Sequence, residues 1–126
     1  MTTKTCSICN TALTTYKYRW GYCSSVCHVV AKQEGDLIRC LKRYGMTYLE
    51  YKFLLADQYH VCAICCNPET QKLHGRPKRL AIDHCHITNK VRGLLCQRCN
   101  TGLGHFKDDL VLLNVAIQYL QRNPAQ

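Results

Sequence analysis

Apolar and polar positions in the middle of the chain follow helical spacing. Tyr48, Tyr51 and Leu55 recur at steps of three and four residues, which places them on one face of a helix. Thr47 and Glu50 have the spacing of a capping box, in which each side chain accepts a hydrogen bond from a free amide of the first turn. The pattern predicts a packing helix from Thr47 to about residue 59.

Two more helices are predicted on either side of this one. Residues 28–45 have the pattern of a connecting helix, and the glycine at position 45 is expected to end it. Near the end of the chain, Leu110, Leu113 and Ile117 recur at helical steps, with Asp108 as the expected N-cap. These helices flank a segment with a different pattern.

That segment combines short apolar runs with turn residues. Residues 79–83 and 91–95 are apolar runs separated by the turn signal Thr88-Asn-Lys90, and together they predict a β-hairpin. Residues 66–78 contain proline and glycine and are interpreted as a loop.

The net charge of +9 is concentrated in the same region. Residues 72–98 contain seven basic side chains against one acidic residue, Asp83. A positive field of this kind attracts polyanions, above all nucleic acid, although a basic surface that only aids solubility is the alternative. No stretch has the character of a signal peptide or a membrane span, so an unsecreted, cytoplasmic protein without a membrane partner is expected.

Eleven cysteines in 126 residues point to disulfides or metal sites. Disulfides rarely persist in a reducing compartment, which favours metal. Two CxxC turns can each direct two sulfurs at one ion and together complete a closed tetrahedral zinc site. The predicted ligands of this structural zinc are Cys62, Cys65, Cys96 and Cys99.

A second cysteine set near the N-terminus has spacing that suits another structural zinc. Its predicted ligands are Cys6, Cys9, Cys23 and Cys27. His28 is the alternative to Cys27. A contact with nucleic acid is favoured only weakly by the nearby residues Lys17, Arg19 and Trp20. A contact with another protein and a purely structural role stay open as alternatives. Three cysteines are expected to bind no zinc: Cys40, Cys66 and Cys85.

Beside the CxxC turns lies a group suited to phosphodiester hydrolysis. That reaction needs an attacking water, a base to deprotonate it and a cation to offset the developing charge. Asp83, His84 and Asn100 supply a carboxylate and an amide for a hard ion and an imidazole for the base. Strand alternation would let His84 and His86 point one way, with Asp83 near the rim. Asn100 is expected to open a short helix.

The stretch DHCHITNKVRGLLCQRCN from Asp83 to Asn100, preceded by Cys62-Ala-Ile-Cys65, resembles the phage recombination endonuclease VII branch of the HNH nucleases. Tyr44-Gly-Met-Thr-Tyr-Leu-Glu-Tyr51 resembles the helix that precedes the motif in that family. The similarity covers about residues 44–120 and leaves the N-terminal cysteine set outside.

This resemblance implies roles for individual residues. Asp83 and Asn100 would bind a catalytic Mg²⁺ or Mn²⁺, and His84 would activate the water. His86 matches a further family histidine, which would contact the scissile phosphate or stabilise charge on it. The chain departs from the family where Leu103 replaces a carboxylate one turn after Asn100.

The expected architecture is a small, zinc-stapled α+β domain: a ββα-metal finger of the HNH, treble-clef-like kind, flanked by helices and preceded by a zinc knuckle. The knuckle is assigned to residues 1–34, connecting and packing helices to 35–60, and the nuclease core with its C-terminal helix to 61–126. The oligomeric state stays open, a homodimer included.

The expected function is metal-dependent cleavage of DNA, by nicking or structure-selective cutting, with branched DNA among the possible substrates. The alternative is a non-catalytic zinc-finger protein that binds nucleic acid or acts as an adaptor. Binding is expected to rely on phosphate contacts with little base readout. The candidate contacts are Arg76, Lys78, Arg79, Lys90, Arg92 and Arg98.

Overall fold

The computed structural model describes residues 4–13, 21–122 and 124. Lys17, Arg19 and Trp20, named above as weak nucleic-acid candidates, lie outside the described residues. In chain order the elements are α1 (Ser25–Gln33), α2 (Gly35–Lys42), α3 (Tyr48–Asp57), β1 (Lys72–Leu73), β2 (Arg76–Pro77), β3 (Ala81–His84), β4 (Val91–Leu95), α4 (Gln97–His105) and α5 (Leu110–Arg122). The presence of both helices and strands agrees with the expected α+β class.

The described residues divide into two compact units. The first contains those up to His60 together with His84–Arg92, and the second contains Val61–Asp83 and those from Gly93 onward. None of the helices in the described ranges is long and apolar enough to cross a membrane.

In the first unit, helices α1 and α2 replace the single connecting helix that was predicted over residues 28–45. Helix α1 ends at Gln33 and α2 begins at Gly35, because Glu34 has a φ of −114° and a ψ of 23°, outside the helical range. The predicted capping box of α3 is confirmed. The Glu50 amide donates to the Thr47 hydroxyl at 3.2 Å, and the Thr47 amide donates to the Glu50 carboxylate at 2.6 Å.

The core of the first unit joins the N-terminal segment to the helices. Cys6, Ile8, Cys27 and Ile38 form one buried cluster. The start of α3 is tied to the same segment, since the amide of Leu49 donates to the carbonyl oxygen of Ile8 at 2.9 Å. The N-terminal cysteine segment therefore packs as part of this unit.

In the second unit, the interpretation of residues 66–78 as a loop is partly wrong. Strands β1 and β2 pair antiparallel, with Lys72 opposite Pro77 and Leu73 opposite Arg76. The connecting residues His74 and Gly75 have φ values of 51° and 77°. Positive φ at both central positions is typical of the tight turn that matches strand twist, and glycine adopts it without steric cost.

The predicted hairpin over residues 79–95 is confirmed as the pair β3–β4. Its connection is closed by backbone hydrogen bonds, from the Cys85 amide to the Lys90 carbonyl at 2.9 Å and from the Asn89 amide to the Cys85 carbonyl at 2.7 Å. Strand β3 ends at His84, so His86 lies in the turn after the strand instead of within it.

Two helix starts differ from the sequence prediction. Helix α4 begins at Gln97, so Asn100 lies within the helix and its amide donates to the Cys96 carbonyl at 3.0 Å. Helix α5 is capped by Asp109, whose carboxylate accepts from the amides of Val111 at 2.8 Å and Leu112 at 3.1 Å. Asp108 has a φ of 54°, whereas an N-cap residue is normally extended.

Candidate active site and zinc centres

The CxxC turns of the second unit bring four sulfurs together. The ligand atoms of Cys62, Cys65, Cys96 and Cys99 all lie within 4.8 Å of one another. The sulfurs of Cys65 and Cys96 are 3.8 Å apart. A tetrahedral zinc site with Zn–S bonds of about 2.3 Å has sulfurs separated by roughly 3.8 Å. All eleven cysteines are free thiols, so this cluster can serve as a zinc site.

Backbone amides favour a thiolate in this cluster. Burial opposes ionisation of Cys62, but hydrogen bonds from the amides of Cys65, Cys96 and Ile64 outweigh it and lower the pKa of the thiol to about 6. Burial and the neighbouring thiols raise the pKa of Cys99 to about 12. Without a cation, like charges crowd the cluster, and zinc binding would displace the remaining protons.

The N-terminal set forms a second cluster of the same kind in the first unit. The ligand atoms of Cys6, Cys9, Cys23 and Cys27 lie within 4.8 Å of one another. Three sulfur separations are 3.3 Å for Cys9–Cys23, 3.5 Å for Cys23–Cys27 and 3.9 Å for Cys27–Cys9. Both predicted ligand sets are thus compatible with structural zinc, and Cys27, not His28, completes this one.

The environment of Cys9 also favours ionisation. Burial opposes it, but hydrogen bonds from the hydroxyl and the backbone amide of Thr11 lower the pKa of the thiol to about 6. Burial raises the pKa of Cys27 to about 12. Among the described residues, Cys40, Cys66 and Cys85 belong to neither cluster, as expected.

Asp83 occupies a buried position on β3, with 8% of its surface exposed. The expectation that it lies near a rim is therefore wrong: along β3 it is the buried position, and its neighbours on either side are half-buried. Burial of a carboxylate requires interaction partners, and its charge interacts more strongly where water is excluded.

His84 and His86 form an aromatic cluster in the first unit. Their ring centroids are 4.8 Å apart, although His86 lies in the turn after β3 and strand alternation does not extend to it. The ring of Tyr44 also contacts His84, with the centroids 4.8 Å apart and an interplanar angle of 48°. Sequence reasoning missed this contact, because Tyr44 precedes His84 by 40 positions and its only signal was membership of the motif that precedes the hairpin.

Asn100 is half-buried on α4 in the second unit, the unit that also contains Asp83. Its helix begins between the third and fourth cysteines of the CxxC cluster, so this cluster fixes the start of α4.

Glu69 is a further structural residue that sequence reasoning missed. One carboxylate oxygen accepts from the Gln97 amide at 2.6 Å, and the other accepts from the Gln71 amide at 2.8 Å. The hydrogen bonds from Gln71 and then Gln97 lower the pKa of this carboxyl below its usual range. Since Cys96 makes no side-chain cap, Glu69 caps α4 from a preceding loop.

The basic candidates for DNA contact are mostly open to solvent. Lys78 is half-buried and its ammonium donates to the Gln71 side chain at 3.3 Å. The five exposed candidates are Arg76, Arg79, Lys90, Arg92 and Arg98. Exposure of long cationic side chains is what phosphate contact requires.

The fold and the two clusters define a small α+β protein with two four-cysteine sites that could bind zinc. Residues 37–122 match the model of the family described as recombination endonuclease VII. The chain belongs to the recombination endonuclease VII family. This confirms the resemblance drawn from the motif and extends it to include most of α2.

Two curated relatives are phage proteins. The chain is 43% identical over 88 residues to the Gene 59 protein of Mycobacterium phage D29, a match that covers 69% of this chain and 50% of that protein. It is 42% identical over 88 residues to the Gene 59 protein of Mycobacterium phage L5, covering 69% and 51%. The chain spans about half the length of these relatives. No solved structure matches it.

Proposed function

We propose that this protein is an HNH-type endonuclease that hydrolyses phosphodiester bonds of DNA with a divalent cation, Mg²⁺ or Mn²⁺. The observation that carries the proposal is the pair of imidazoles at the end of β3, with ring centroids 4.8 Å apart, directly after the buried Asp83. Family membership supports the reaction class. The proposed catalytic core is a ββα-metal finger made of β3, β4 and α4.

Each proposed role follows from the chemistry of the side chain. Asp83 and Asn100 offer oxygen ligands, which suit a hard divalent cation. When bound, the cation would offset negative charge on the pentacoordinate phosphate and the leaving oxygen. His84 takes the proton from the attacking water, because neutral imidazole is a competent base near pH 7. His86 donates a hydrogen bond to an oxygen of the scissile phosphate.

A plasmid nicking assay tests this proposal. Wild-type protein with Mg²⁺ or Mn²⁺ is expected to convert supercoiled plasmid to the open-circular form, or to the linear form if both strands are cut. His84→Ala should lower the rate about 10²- to 10⁴-fold, the usual contribution of a general base. His105→Ala, at an exposed position, is the matched control and should cut like wild type.

Binding measured on the same proteins separates an enzyme from a non-catalytic DNA-binding protein. His84→Ala should retain the affinity of wild type for duplex DNA. Intact plasmid after incubation of the wild type with either ion would rule out the enzyme. A substrate panel of duplex, single-stranded, nicked, flap and four-way-junction DNA then gives the preferred structure.

A further inference from the structure

The ribbon formed by β1 and β2, residues 71–79, has a composition unlike the rest of its unit. Between Thr70 and Ile82 the chain contains four basic side chains and no acidic one. They are Lys72, Arg76, Lys78 and Arg79. All four strand residues are exposed, so the ribbon contributes no side chain to the core.

This ribbon has a defined shape in spite of its small size. Below the paired strands, the Lys78 amide donates to the Gln71 carbonyl at 2.8 Å, and the Lys78 ammonium donates to the Gln71 side chain at 3.3 Å. The cross-strand pairs place Leu73 and Arg76 on one face and Lys72 on the other. The turn at His74 and Gly75 fixes the tip.

The base of the ribbon is anchored to helix α4. An isolated two-stranded hairpin is at best marginally stable in water, so a ribbon that buries nothing needs an anchor. Glu69 provides it: the same carboxylate accepts from Gln71 at the base of the ribbon and from Gln97 at the start of α4. The cationic side chains therefore lie on a ribbon whose position relative to α4 is fixed by Glu69.

The chemistry of the ribbon favours duplex DNA as its partner. Phosphates of a duplex form a dense line of negative charge that attracts lysine and arginine. Proteins that hold single strands add aromatic side chains for base stacking, but residues 69–82 contain no Phe, Tyr or Trp. A two-stranded ribbon is also narrow enough to lie in the major groove.

We infer that the β1–β2 ribbon is a DNA-binding element that contacts the phosphates of duplex DNA and positions the duplex for cleavage. The inference rests on the proposed function for the identity of the substrate. It adds that a preformed shape, and not positive charge alone, provides the contact.

The first test removes charge from the ribbon. The triple variant Lys72→Gln/Arg76→Gln/Arg79→Gln is made in the His84→Ala background, so that binding is measured without cleavage. The control triple Lys32→Gln/Lys52→Gln/Lys107→Gln removes the same net charge from exposed positions elsewhere. Affinity for duplex DNA is measured across a salt series.

Each lost phosphate contact lowers the slope of log affinity against log salt by about 0.9, so the ribbon triple should lower it by roughly 2 to 3 and the control by less than 1. Equal slopes for the two triples would overturn the inference, because net charge would then explain the binding. A loss confined to single-stranded DNA would also overturn it, as would a wild type that does not bind duplex.

The second test changes shape and keeps every charge. Gly75→Val places a β-branched residue at a φ of 77°, whereas Gly75→Asn introduces a residue that tolerates this conformation. Gly75→Val should weaken duplex binding about tenfold, as expected from the strain of a left-handed residue, and Gly75→Asn should bind like wild type. Equal affinities for the two variants would show that ribbon shape is irrelevant.

The outcomes separate this inference from the proposed function. If wild type does not nick plasmid but the ribbon variants still lose duplex affinity, the endonuclease proposal fails and the ribbon inference stands. If wild type nicks plasmid and the ribbon triple binds duplex DNA with the affinity and salt slope of its His84→Ala parent, the ribbon inference alone fails.

Discussion

Tyr44 packs against the imidazole proposed to activate water, and this contact restricts where that imidazole can turn. The ring of His84 contacts two other rings, with its centroid 4.8 Å from that of Tyr44 and 4.8 Å from that of His86. A half-buried imidazole in contact with two rings has fewer accessible rotamers than a solvated one. Tyr44 is therefore a candidate positioning residue for the proposed base.

Two replacements of Tyr44 should distinguish the contribution of its ring from that of its hydroxyl group. Tyr44→Ala is expected to lower the nicking rate about tenfold, since misplacement of a catalytic group by about 1 Å can lower a rate by roughly 10²-fold and a smaller shift has a smaller effect. Tyr44→Phe keeps the ring and should retain most of the activity. The ring-proton NMR shifts of His84 should move in Tyr44→Ala and stay near wild type in Tyr44→Phe. Unchanged shifts in Tyr44→Ala would contradict the positioning role.

Strand periodicity predicted that His84 and His86 face the same way, but β3 ends at His84, so the contact between their rings arises in the turn and not from strand alternation. Strand periodicity was also insufficient to predict the burial of Asp83, because alternation defines two faces of a strand without showing which face other elements cover. The contact of Tyr44 with His84 could not be predicted either, since it depends on how distant segments pack and not on local spacing.

Among the secondary-structure elements, α4 depends on a residue outside it. Its N-cap position is Cys96, which makes no side-chain cap, and the carboxylate of Glu69 takes over that function at 2.6 Å from the Gln97 amide. A negative charge at this end also interacts favourably with the helix dipole. Because Glu69 also holds Gln71, one side chain stabilises both α4 and the base of the β1–β2 ribbon.

Removal of this cap should destabilise the protein measurably. Glu69→Ala is expected to lower the free energy of unfolding by about 1 kcal/mol, as loss of a helix cap usually does. Thr70→Ala, at the exposed next position, is the control and should change it little. Urea denaturation of the zinc-loaded proteins measures both. Equal midpoints for the two variants would mean that the hydrogen bond to Gln97 contributes nothing in solution.

Elements with strong local signals were predicted well. The capping box of α3 and the β3–β4 hairpin follow from residues close together in sequence. The β1–β2 ribbon was missed because its strands have two residues each and one contains Pro77, which argues against a strand. Helix α5 is capped by Asp109 and not by Asp108 as predicted, because the left-handed φ of Asp108 is incompatible with the extended conformation of an N-cap residue.

For the whole molecule, two clusters of four thiols replace much of the hydrophobic core that so short a chain lacks. In the described ranges the buried side chains are few, and several of them are cysteines of these clusters. Small domains of this kind commonly depend on a structural metal for folding. One cluster lies in each unit, so each unit has its own candidate site for a structural zinc.

Native mass spectrometry should find two zinc ions per chain. Cys62→Ser or Cys96→Ser should remove one of them and unfold the second unit, because metal binding energy is here folding energy. Cys66→Ser is the matched control, since this exposed cysteine adjoins Cys65 but belongs to neither cluster. Circular dichroism should show native helix content for the control only. A Cys62→Ser protein that stays folded without metal would contradict the structural role.

The cluster in the second unit joins cysteines that lie far apart along the chain, and this has a consequence for the protein in a cell. Residues 66–95 form the segment enclosed between Cys65 and Cys96, and an ion shared by the thiols would hold its ends together more firmly than the hydrogen bond from Gln97 to Glu69 alone. A chain made while zinc is scarce would leave this segment open to proteases. The abundance of the protein should then follow the metal supply of its host, independently of how strongly its gene is transcribed.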